Sequence, residues 1–203
     1  MTSVKIDRYT QAHQFEPLLP QRRLEEFRQR TRAVVEQSLR LSSSAHPATV
    51  GSLRELVREM NSYYSNRIEG QSTHPLNIER ALRQDFSDKP DVAKLQRLAL
   101  AHIEAERELE QRVASGESAS TTAFLQRAHA ALYGRLSIEA RTTDDGRIIE
   151  PGAWRVEQVA VGRHEPPQWS SLPAFLARLD AVYGIETSLD EILLRIAAMH
   201  HRT

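Results

Sequence analysis

The sequence predicts an all-α fold, a bundle of helices with one small β-hairpin. Two observations carry this. Apolar residues recur at three- and four-residue spacing over most of the 203 residues. Only residues 142–168 change character, with the hairpin-type dipeptide Asp145-Gly146 and the short β-branched run Val156–Val161, closed by Pro166-Pro167.

The elements follow in order. Residues 1–20 are polar, carry Pro17 and Pro20, and read as an extended arm. Leu24, Phe27, Val34, Val35, Leu39 and Leu41 lie at roughly helical spacing, and Ser42–Pro47 breaks that helix. The next helix runs from about Val50 to Ile68, with Leu53, Leu56, Val57, Met60, Tyr63 and Tyr64 on one stripe. Gly70 stops it, because glycine tolerates the left-handed conformation. Ser72 or Thr73 is placed to cap a helix through Ile78, Ala81 and Leu82. Asp91 begins a long helix to Val113. Residues 115–122 are a loop ending in plausible caps, and a helix over Ala123–Leu136 follows. After the hairpin come helices over Leu172–Tyr183 and Leu189–Arg202.

Composition narrows the function. Lys plus Arg equals Asp plus Glu at 27 each, so no bulk positive charge is available for nucleic acid. Gln21–Arg32 holds five Arg, but charges of both signs alternate there, as on a solvated helix face. There is no cysteine and hence no thiolate chemistry. No apolar run reaches the length of a signal peptide or a membrane span, so a soluble, cytoplasmic protein without a membrane partner is expected.

Three motifs could carry chemistry. Ser65 and Glu69 in Ser65-Asn66-Arg67-Ile68-Glu69-Gly70 stand one helical turn apart, on one face. From spacing alone Glu69 reads first as a solvated glutamate, although a helix C-terminus disfavours an anion there and a carboxylate would gain from a cationic partner. Gly152, Arg155, Val159, Ala160 and Val161 belong to the hairpin; an exposed edge strand there could take up an extended peptide, or the hairpin could be an ordinary surface one. His200-His201 point about 100° apart on a helix and make a poor metal pair, one packed and one exposed. No metal-ligand spacing occurs elsewhere, so no metal site is expected.

Taken together and in order, these motifs resemble the Fic family, whose usual activity is transfer of AMP from ATP to a protein hydroxyl. Residues 60–75 resemble the family's inhibitory helix. Residues 152–167 resemble the flap that clamps the target. Ala197–Thr203 resembles the lead-in to the catalytic signature HPFxxGNGR, which does not occur in the chain.

The resemblance implies roles. Glu69, supported by Ser65 and Gly70, would pair with an arginine of the signature that otherwise holds the ATP γ-phosphate. The flap, through Gly152, Arg155, Val159, Ala160 and Val161, would hold a protein substrate with its hydroxyl facing the α-phosphate. ATP and Mg²⁺ are implied for the complete protein. The chain has no Gly-x-Gly turn to cradle phosphates, so neither is expected to bind well here. The catalytic histidine would lie beyond Thr203, and no catalytic residue is assigned within the chain. The expected organisation is an N-terminal arm and helix over 1–49, then a Fic-like helical domain over 50–203 with inhibitory helix 50–69 and flap 145–167, truncated at the catalytic motif. A chain cut there should expose apolar surface around Ile192, Leu193 and Ile196, and either form a homo-oligomer or melt well below the extended chain. It should be inactive alone. The alternative is a non-catalytic helical module for protein interaction.

Overall fold

Two His-Pro dipeptides start two of the helices in the same way. In each, proline takes the first helical position, where its missing N–H costs nothing. The preceding histidine folds back so that Nδ1 accepts a backbone N–H: His46 from Ala48 and His74 from Leu76, both at 3.2 Å. Helices begin at Pro47 and Pro75 as a result. This corrects the expected start near Val50 and the expected Ser72 or Thr73 cap. Thr73 is buried, and its Oγ1 accepts from Asn77 Nδ2 instead.

The structure, a computed structural model, describes residues 9–160, 165–185 and 187–202. Among these, 65% of the fold is helical and no strand forms. The helices are α1 (Leu24–Ser44), α2 (Pro47–Ile68), α3 (Pro75–Leu82), α4 (Pro90–Ala114), α5 (Thr122–Tyr133), α6 (Leu172–Tyr183) and α7 (Leu189–Arg202). None is long and apolar enough to cross a membrane. The serine run 42–44 continues α1 rather than breaking it. The chain divides into two compact units, and the expected boundary at 49/50 falls inside α2.

One unit comprises Ser42–Glu117 and Leu125–Ala153. Its apolar core is Ile78, Ala99 and Ile103, flanked by Tyr63 and Leu82, where α2 and α3 pack on α4. Two polar side chains are buried within this packing and satisfied. Ser62 Oγ donates to the Ala99 carbonyl at 3.1 Å. Gln96 donates to the carbonyls of Asn77 and Asp85 and accepts the Ser87 N–H, which fixes the α3–α4 connection. Arg58 is 2% exposed, and Glu55 and Glu110 hold its guanidinium, with Glu106 at 3.9 Å. A buried guanidinium requires such partners.

The other unit comprises Met1–Leu41, Ser118–Phe124 and Trp154–Thr203. Here the N-terminal segment is packed where an extended arm was expected. Leu18 is buried, its carbonyl accepts from Tyr183 Oη at 2.6 Å, and Phe15 meets Phe175 edge-to-face at 4.9 Å. Asp180 accepts both the Thr122 N–H and the Thr122 hydroxyl, so α6 supplies the cap for the start of α5. Arg28 and Arg32 of α1 pair with Glu191 and Asp190 in the first turn of α7.

Candidate functional site

Gly70 closes α2 with φ +75, donating its N–H to the Arg67 carbonyl at 3.1 Å. Glu69 is the cap residue, and its N–H donates to the Ser65 carbonyl at 3.3 Å. At about 100° per residue, Ser65 and Glu69 fall about 20° to either side of the direction of Arg58. They therefore share one face, as expected, and both are exposed. Among the described residues no side chain bonds to the Glu69 carboxylate or the Ser65 hydroxyl. Glu69 thus meets the negative end of the helix dipole without a counter-ion, a position that favours an incoming cation.

The apolar stripe of α2 points the other way. Leu53, Met60 and Tyr64 lie about 120–160° from Arg58 around the helix. They are 50%, 45% and 53% exposed. Only Tyr63 of the expected stripe packs against the core.

The described residues of 142–168 do not form the expected β-hairpin. Asp145-Gly146 makes its turn: Gly146 has φ +82, and one bridge joins Thr142 to Ile148. Hydrogen bonds from Arg147 and Thr143 hold the Asp145 carboxyl down to about 2. The chain then enters a second turn, Glu150–Ala153, with the Ala153 N–H on the Glu150 carbonyl at 3.1 Å. Pro151 followed by Gly152 at φ +77 is the signature of a type II turn.

Beyond it, side chains replace a strand ladder. Arg155 donates to the carbonyls of Glu157 and Pro167, and Gln158 Nε2 to that of Pro166. Pro166 and Pro167 have no N–H to return, so paired strands cannot form there. Burial lowers the Arg155 pKa. Val159 is half-buried and Ala160 exposed, both outside any strand, and Val161 lies outside the described residues. No hydrogen bond or ion pair joins Ser65, Glu69 or Gly70 to Gly152 among the described residues.

At the end of α7, His200 and His201 are both exposed, correcting the expectation that one packs; Leu194 and Met199 take the buried positions. Ile196 is 42% exposed, while Ile192 and Leu193 are half-buried. His201 stands at an apolar groove of about 270 Å³, lined by Leu18, Pro20, Phe27, Leu194 and Ala198 among others. That lining does not fit a nucleotide triphosphate. Among the described residues no group of three His, Asp or Glu side chains converges to hold a metal ion.

Pro151-Gly152 was a legible signal for the Glu150–Ala153 turn. The sequence reading missed His129 and Arg58. For Arg58 the sequence offered Glu55 three residues earlier, but its contact with Glu110 and the bond from Gly152 to His129 join residues distant in sequence. Family models, curated proteins and solved structures were all compared with the chain, and none matches it.

Proposed function

We propose that the chain is the regulatory and target-clamping part of a self-inhibited Fic-type protein adenylyltransferase, which transfers AMP from ATP to a hydroxyl of a protein substrate. Without HPFxxGNGR the chain does not catalyse the transfer by itself. One observation carries the reading: Glu69 ends α2 exposed, and unpaired among the described residues, at the negative end of the helix dipole, with Gly70 turning the chain away. A carboxylate so placed suits a guanidinium that would otherwise grip a phosphate, since the two anions compete for one planar fork.

The test is a chain extended through an HPFxxGNGR segment and incubated with labelled ATP. Glu69→Gly should raise self-labelling far beyond any effect of stability. Equal labelling of the unsubstituted and substituted chains would refute the inhibitory role.

A second reading has its own support. The exposed stripe of Leu53, Leu56, Val57, Met60 and Tyr64 on α2 suits a non-catalytic interaction module. Reading the coding DNA downstream of Thr203 separates the two. An in-frame HPFxxGNGR favours the enzyme; a stop codon with no shifted remnant favours the module.

A further inference from the structure

Gly152 is fastened to α5 from two sides. Its N–H donates to His129 Nδ1 at 2.8 Å. Its carbonyl accepts from Gln126 Nε2 at 3.1 Å. The turn lies so close to the helix that a Cβ at Gly152 would stand 3.1 Å from Ala130 Cβ and 3.3 Å from the Gln126 carbonyl oxygen. Tyr133 holds the imidazole in place, its ring stacked on that of His129 at 4.4 Å and 24°. Gln126, His129, Ala130 and Tyr133 follow three- and four-residue spacing and so form one stripe of α5. A ring nitrogen that accepts an N–H must keep its lone pair. The His129 ring is therefore neutral, with its proton on Nε2.

We propose that His129 is a positioning residue: its neutral ring latches the Glu150–Ala153 turn onto α5, and protonation of Nδ1 releases that turn. The latch fixes Gly152, one of the residues assigned to the flap. Control of target clamping by pH would follow, and that consequence alone rests on the function proposed above.

The sign of the pH dependence follows from the surroundings. Burial lowers the His129 pKa, and no charged group contributes to the shift. Most charges on the elements around it are paired with one another; among the described residues, the Glu139 and Asp144 carboxylates form no ion pair. Arg141 pairs with Glu150 at 3.7 Å, Arg127 with Glu117 at 3.0 Å, and Arg135 with Glu104 and Glu108 of α4. A histidine lowered by folding stabilises the folded state above its unfolded pKa of about 6.5. That contribution fades as pH falls through the lower folded value.

Nuclear magnetic resonance of the 203-residue chain tests the latch. Above pH of about 7, His129 should show the Nε2–H tautomer and the Gly152 amide should be protected from exchange. As His129 titrates, protection of Gly152, corrected for intrinsic exchange, should fall by about tenfold or more while Ile103 stays protected. His129→Asn offers an oxygen acceptor that does not titrate and should keep Gly152 protected throughout. His129→Ala should leave it unprotected at every pH. An Nδ1–H tautomer, or Gly152 protection unchanged across the titration, would overturn the proposal. So would a fall in His129→Asn that matches the unsubstituted chain. Should His129→Ala fail to fold, the titration and the Asn variant still decide. No arm reads adenylyl transfer, so the latch and the proposed function can fail separately.

Discussion

Ser62 Oγ donates to the carbonyl of Ala99 at 3.1 Å, and both residues are fully buried. This bond sets the rotation of α2 on α4. With Ser62 turned inward, Arg58 enters the same interface one turn earlier. Ser65 and Glu69 continue along that side to the exposed end of the helix, and the apolar stripe is left facing away.

Arg58 should be the most sensitive charged position. Arg58→Ala removes a buried side chain and its ion pairs, while Glu55 keeps Arg107 and Glu110 keeps Arg54, and should cost about 2–3 kcal/mol. Urea unfolding measures this; a loss too small to detect would show that the network is neutral. Arg107 first and Arg58 second hold Glu55 below its ordinary value of 4.5. The stability this pairing contributes is present above that value and is lost as pH falls through the lowered one.

Two glycines with similar φ should respond differently. A Cβ at Gly70 meets nothing within 4 Å, so Gly70→Ala should cost only the left-handed strain, about 1 kcal/mol. Gly152→Ala adds a tight contact with the Gln126 carbonyl oxygen and should cost about 2–3 kcal/mol. Thermal unfolding ranks them at about 2–4 °C per kcal/mol. Equal losses would mean that the turn does not lie against α5.

The outward stripe of α2 should drive self-association. Sedimentation of the chain should show weight-average mass rising with concentration. Leu56→Lys with Val57→Lys should restore a monomer without loss of stability, since both positions are about half exposed. A monomer at all concentrations in the unsubstituted chain would show that this face associates with no second copy.

The chain alone should transfer no AMP. Incubation with labelled ATP and candidate protein substrates should give labelling equal to that of a control without the chain. Reproducible labelling would place a phosphate cradle within these residues, where no Gly-x-Gly turn occurs.

The sequence by itself determined the helices. Spacing at three and four residues reflects the 3.6-residue turn, a local property, so α4, α6 and α7 were legible to within about two residues. Gly70 and Asp145-Gly146 were legible because a positive φ is a constraint on a single residue. The starts of α2 and α3 were missed because histidine, unlike serine or aspartate, caps a helix only when its ring folds back onto the first turn. Periodicity marked a stripe on α2 but could not say which way it turns. A bond between Ser62 and Ala99, 37 residues apart, settles that. The β-branched run Val156–Val161 predicted a strand, yet a strand exists only where a partner returns its hydrogen bonds, and Pro166 and Pro167 cannot. Gly152 was legible as a turn residue. Its attachment to His129, 23 residues away, was decided by tertiary packing alone, because it depends on which helix face the folded chain presents to that turn.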